Sequence, residues 1–165
     1  MHLKSLLFVA SLMMWICVFT SAGPIHAQCK VDWELGVSCR DVFVALVQQI
    51  KKWRSLAGCT NGGQKCLYQL TGANRYYISA KHTSPVTGFV DHLRFNLVPY
   101  ALFTQCHVAA LSVSEAWYTL IDHSTNYCNL YNLMEGSGLT EVEGYKEMTN
   151  DWICNQRSTA NCTEY

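Results

Sequence analysis

The chain carries no surplus of either charge. Its 12 basic and 12 acidic residues balance, which excludes the strongly basic footprint of a nucleic-acid binder. It lacks metal-site spacing as well: there is no Cys-x-x-Cys pair and no two histidines about three to five residues apart, so neither a metal nor a cofactor is expected. No serine stands in a Gly-x-Ser-x-Gly elbow, since Gly136-Ser137-Gly138 lacks the spacing. The glycine loop from Gly58 to Gly63 lacks the lysine and hydroxyl of a phosphate loop and reads as a turn. After residue 27 no apolar run reaches the roughly 20 residues that span a bilayer, so stable membrane insertion is not expected. Internal repeats and low-complexity tracts are missing too.

What is present is sulphur. Cys17 lies in the apolar run Leu6 to Phe19, between a basic start, Met1 to Lys4, and a small-residue stretch, Ser21 to Ala27. That layout is the one of a secretory signal. Residues 1–27 are therefore expected to be a signal peptide, and 28–165 a single secreted, disulfide-rich α+β domain with eleven basic residues against twelve acidic. Gln28 before Cys29 does not suit lipid attachment. Loss of Cys17 leaves an even set, Cys29, Cys39, Cys59, Cys66, Cys106, Cys128, Cys154 and Cys162, as an oxidising compartment requires. Each bridge adds about 2 to 4 kcal/mol to a chain already long enough to build a core. Eight thiols permit roughly a hundred complete pairings. Cys59 and Cys66 stand at the two ends of the glycine loop and are placed to close on each other; Cys29 with Cys39 is less obvious, because a strand and a helix start intervene. Cys154 or Cys162 should reach back to the body of the domain.

The periodicity divides the chain. From Cys29 to Val37, Val31, Trp33 and Leu35 alternate with Lys30, Asp32 and Glu34 and predict a strand. Ser38, followed three residues later by Asp41, resembles a capping box, and Val42, Phe43, Leu46, Val47, Ile50 and Trp53 then form one apolar helical stripe. Four β-prone segments come next, 65–71, 75–81, 89–98 and 107–120, read as an antiparallel meander with a hairpin at Gly72-Ala73-Asn74. A short helix or turn is expected near Cys128 to Glu135, and one or two helical turns between Glu141 and Trp152. The expected fold is α+β: an antiparallel sheet of four to five strands packed against one main amphipathic helix and stabilised by disulfides.

Few residues suggest chemistry. In the third β segment Asp91 shares a face with Phe89, Leu93, Phe95 and Leu97. A carboxylate on an apolar face is costly unless it is paired or near an open strand end. Asp91-His92 and Asp122-His123 are adjacent in sequence and so point to opposite sides of a strand, whereas a cross-pair such as Asp91 with His123 is open. An enzymatic reading, a hydrolase, would use Asp91, Asp122, His123 and Asn126. The aromatic residues serve as core or, where helix and sheet leave an apolar cavity, as a ligand wall. Tyr76, Phe95, Trp117, Tyr118, Asn126 and Tyr131 are the candidates for that wall. Asn161-Cys162-Thr163 is an N-glycosylation acceptor whose central cysteine competes for the triplet.

Phe89-Val90-Asp91-His92, Ser112-x-Ser114 and Asp122-x-Ser124-x-Asn126 resemble a domain of unknown function in bacterial envelope and plastid proteins, with its Phe-Val-Asp-Asp block, Ser-x-Ser strand and Asp-x-Gly-x-Asn turn. Here His92 replaces the second Asp and Ser124 the Gly. The stretch Asn126 to Leu133, with Ser158 to Cys162, is similar to uncharacterised secreted cysteine-rich proteins of fishes and other aquatic animals. These resemblances imply an α+β fold with a polar cluster around Asp91, Asp122 and Asn126. The function expected is a secreted binding module for a small apolar ligand or an extracellular protein; the alternative is an extracellular enzyme built on the Asp/His/Asn cluster.

Overall fold

The computed structural model describes residues 26–59, 63–116 and 122–163. In chain order it contains β1 (Gln28–Leu35), α1 (Cys39–Lys52), β2 (Tyr68–Asn74), β3 (Tyr77–Thr83), β4 (Val90–Tyr100), β5 (Gln105–Ser114), α2 (Thr125–Gly136) and β6 (Lys146–Met148). The six strands form one antiparallel sheet in the order β2-β3-β4-β5-β1-β6. The fold is α+β, with one strand and one full helix more than the sequence pattern predicts. The added strand, β6, lies where helical turns were expected, because Lys146 to Met148 pair with Asp32 to Glu34 along the free edge of β1. The second helix is about three turns of sequence with buried asparagines on its inward side, so it shows no clean apolar stripe.

Local chemistry sets the ends of α1. Ser38 is its N-cap, accepting from the Asp41 amide at 3.3 Å and donating to Asp41 Oδ2 at 2.7 Å. Lys51 and Lys52 fall in the last turn, where the helix dipole favours cations. The β2–β3 turn falls at Arg75-Tyr76, two residues after Gly72-Ala73. Asn74 pairs with Tyr77 and its Oδ1 accepts from the Tyr76 amide, while Gly72 follows a bulge after Leu70. The β4–β5 hairpin turns through Ala101, Leu102 and Phe103, all left-handed at φ 45°, 56° and 70°. That conformation costs L-residues roughly 1–2 kcal/mol each.

Both helices contact β4 and β5, and burial alternates along these strands, so one face is covered and the other is open. The covered face carries Val31, Trp33, Leu35, Ile78, Leu93, Phe95, Leu97 and Val108, packed against Val42, Leu46 and Ile50 of α1 and Leu130, Leu133 and Met134 of α2. The open face carries the ion pairs His107–Asp32 at 3.1 Å and His92–Glu115 at 3.3 Å, partly exposed and worth little individually. Gly136 lets the helices meet: a Cβ there would lie 2.5 Å from the Trp53 ring.

Four disulfides staple this arrangement, Cys29–Cys154, Cys39–Cys106, Cys59–Cys66 and Cys128–Cys162. Cys59 and Cys66 close the glycine loop on itself. Both C-terminal cysteines reach back, Cys154 to its bridge partner on β1 and Cys162 to α2. Cys39, in the first turn of α1, is tied instead to the start of β5. Among the described residues no helix is long and apolar enough to cross a membrane.

Candidate functional site

Two cavities open at opposite ends of β4. Asp91 and Pro99, eight residues apart on that strand, put them roughly 27 Å from each other.

The first is floored by a buried polar network. Asp91 faces inward because it shares the face of Leu93 and Phe95; its register partners are His82 on β3 and Ser114 on β5. Asn129 Nδ2 donates to its Oδ2 at 2.7 Å, and the Ser114 hydroxyl also bonds its side chain. On α2, Asn126 is the hub. Its Nδ2 donates to Ser114 Oγ at 2.8 Å and to Asp122 Oδ2 at 2.6 Å, and its Oδ1 accepts from Ser112 Oγ at 2.6 Å. Asp122 in turn accepts from the amides of Ser124 and Asn126, capping the helix start that Ser124, at φ 66°, does not cap with its own side chain. Two carboxylates are thus linked through one serine and one asparagine. Above them is a cavity of about 270 Å³ lined by Gln64, Phe89, Asp91, Ser114, Asp122 and His123. The four residues of the enzymatic reading converge here: Asp91, Asp122 and His123 on the wall, Asn126 beneath it.

Burial raises the Asp91 pKa, with the Asp122 charge adding to the rise and the hydrogen bonds from Ser114 and Asn129 opposing it. His82, beside it, is fully buried, and burial lowers its pKa from 6.5 to about 4. Its Nε2 lies 3.0 Å from the Gln64 carbonyl, which can only accept, so that nitrogen holds the proton. Nδ1 has no hydrogen-bond partner among the described residues. Stability from neutral His82 is complete above 6.5 and is lost as pH falls toward 4, about 3 kcal/mol in all. Asp91 acts in the opposite sense, since its raised pKa favours the folded chain as pH falls toward 3.8. Urea titrations at pH 7 and pH 4 are expected to show a smaller acid loss for His82→Phe and a steeper one for Asp91→Asn.

The second cavity, about 650 Å³, lies between the start of α1 and the tips of two hairpins. Phe43, Val44, Tyr76, Pro99 and Phe103 form its apolar wall, with Ser38, Cys39, Arg40 and Arg75 around them. The Cys39–Cys106 bridge fixes the helix start against β5 at this end. Residues 102 and 103 stand out to solvent, with Leu102 94% and Phe103 71% exposed.

The expected ligand-wall residues separate in space. Tyr76 lines the larger cavity. Asn126 lies under the smaller one. Phe95 is fully buried in the core and lines neither, because helix and sheet are packed shut at the middle of β4. Tyr131 stacks on Tyr127 at 5.6 Å in a different cluster. Trp117 and Tyr118 lie outside the described residues. That different cluster was not legible in sequence: Glu147 accepts from Trp33 Nε1, Tyr127 and Tyr145 at 3.1–3.3 Å and pairs with Arg157 at 2.8 Å, anchoring the C-terminal segment. Asn161 is exposed, with Thr163 Oγ1 donating to its Oδ1 at 2.6 Å and Cys162 held in its bridge.

No protein-family model and no curated protein matches the chain. The reading of its sites therefore stands on geometry.

Proposed function

We propose that this chain is a secreted, disulfide-stabilised binding module that holds a small apolar ligand in the cavity between the start of α1 and the β2–β3 and β4–β5 hairpins. The observation that carries it is the size and lining of that space. About 650 Å³ falls within the roughly 300–1,000 Å³ of small-ligand pockets, and five apolar side chains wall it. Four disulfides support the secreted assignment, since such crosslinks persist in oxidising compartments. The module would leave the cell after removal of residues 1–27 and carry a glycan on exposed Asn161. Purified protein is expected to take up the neutral dye N-phenyl-1-naphthylamine with enhanced fluorescence, and Val44→Glu to weaken uptake at least tenfold with an unchanged circular dichroism spectrum. Absence of uptake by the folded native chain would end this reading.

A second reading is an extracellular hydrolase, favoured by the convergence of Asp91, Asp122 and His123 on one cavity. A carboxyl whose pKa is raised by burial, beside a second carboxylate, is the usual arrangement for acid and base roles. It predicts hydrolytic activity lost in Asp91→Asn. Equal turnover by native and variant chains on every substrate of a peptide and ester panel would exclude it.

A further inference from the structure

We infer that the larger cavity selects a single-chain amphiphile with an anionic head; the inference rests on the binding reading above and names its ligand class. Two guanidinium groups, Arg40 and Arg75, stand on the lining beside the five apolar side chains, and among the described residues no carboxylate lines the space. Among the described residues Arg157 pairs with Glu147, Lys65 with Glu135 and Lys146 with Glu34. Neither Arg40 nor Arg75 has an acidic partner within ion-pair distance among the described residues; Arg75 lies over the Tyr76 ring at 5.4 Å. Asp41, the acid nearest in sequence, is occupied by the Ser38 hydroxyl at 2.7 Å and does not line this cavity.

The helix adds to the field. Ser38, Cys39 and Arg40 are the cap and first turn of a 14-residue helix, whose N-terminus carries partial positive charge. A chain of methylenes would lie along Phe43, Val44, Tyr76 and Phe103, and a carboxylate or phosphate would meet the forked donors of two arginines. A neutral apolar ligand leaves those donors to water, and a cationic one is repelled. The exposed Phe103 and Leu102, on a turn with three consecutive left-handed residues, put apolar surface at the mouth, where a tail leaving water would first make contact.

The test is displacement of N-phenyl-1-naphthylamine by dodecanoate, 1-dodecanol and dodecyltrimethylammonium, which share a tail and differ in head charge. Dodecanoate is expected to displace the dye at about tenfold lower concentration than dodecanol, and the cation least well. That advantage should shrink as sodium chloride is raised, because the arginines are exposed and screened. In Arg40→Gln/Arg75→Gln the dodecanoate affinity should fall to that of dodecanol while dodecanol is unaffected. Both side chains are exposed, and the double variant is expected to keep the native melting temperature within a few degrees. Equal affinity for dodecanoate and dodecanol in the native chain, or a dodecanoate preference that survives the double variant, overturns the anionic class and leaves the binding reading standing. Failure of all three, and of the dye, overturns both.

Discussion

Asn126→Leu is expected to lower the unfolding free energy by about 3–5 kcal/mol, although the substitution keeps the number and branching of side-chain heavy atoms and places an apolar group where nothing is exposed to water. Asn126 is fully buried and its amide makes three side-chain hydrogen bonds, to Ser112, Ser114 and Asp122. Leucine leaves two hydroxyls and a carboxylate oxygen without those partners. Each orphan costs roughly 1–3 kcal/mol, more for the charged group. The loss should be read from the guanidinium midpoint with disulfides intact. Adding Ser112→Ala and Ser114→Ala to Asn126→Leu is expected to recover part of it, since removing both partners of a buried bond is cheaper than removing one. Were Asn126→Leu neutral, the network would not be holding α2 against β5.

The paired substitution Cys29→Ala/Cys154→Ala is expected to cost about 4 kcal/mol, roughly twice the cost of Cys59→Ala/Cys66→Ala. The first bridge spans 125 residues and the second 7. In the chain-entropy account the gain grows with the logarithm of the loop, and the remaining crosslinks shorten the longer loop to a fraction of its sequence span. Cys29–Cys154 also sits in a β-bridge that brings the C-terminal segment beside β1, with Lys30 and Asn155 donating backbone bonds across it. Its loss should therefore expose the tail to proteolysis before the core melts. Loss of the short bridge should leave the tail protected. Thermal melts of both variants, with limited trypsin digestion below the transition, check the ranking.

Much of the local structure was legible because it depends on neighbours in sequence. Ser38 and Asp41 marked the start of α1, alternation at Val31, Trp33 and Leu35 marked β1, and Asp91 stood out as a polar residue on an apolar face. The second helix was underestimated for a physical reason. Asn126, Asn129 and Asn132 are buried on it, the first two bonded to residues of distant strands, so its inward face does not read as apolar. β6 was missed because three residues carry too little pattern; it exists through pairing with an edge that the local sequence does not contain. The aromatic candidates dispersed likewise: Tyr76 reached a cavity, Phe95 the core and Tyr131 a stacked pair, since composition says nothing of which end of the sheet stays open.

Taken alone, the sequence determined the features that act over a few residues or by simple count: an α+β class, the strand and helix around Ser38, an even set of eight cysteines, and the closure of Cys59 on Cys66 across a short loop. The tertiary structure alone decided which distant cysteines pair, that Asp91, Ser114, Asn126 and Asp122 form one network, and that Arg40 and Arg75 share a cavity. Those outcomes depend on strand order and register, which are fixed by burial of the whole covered face at once, and no stretch of neighbouring residues encodes them.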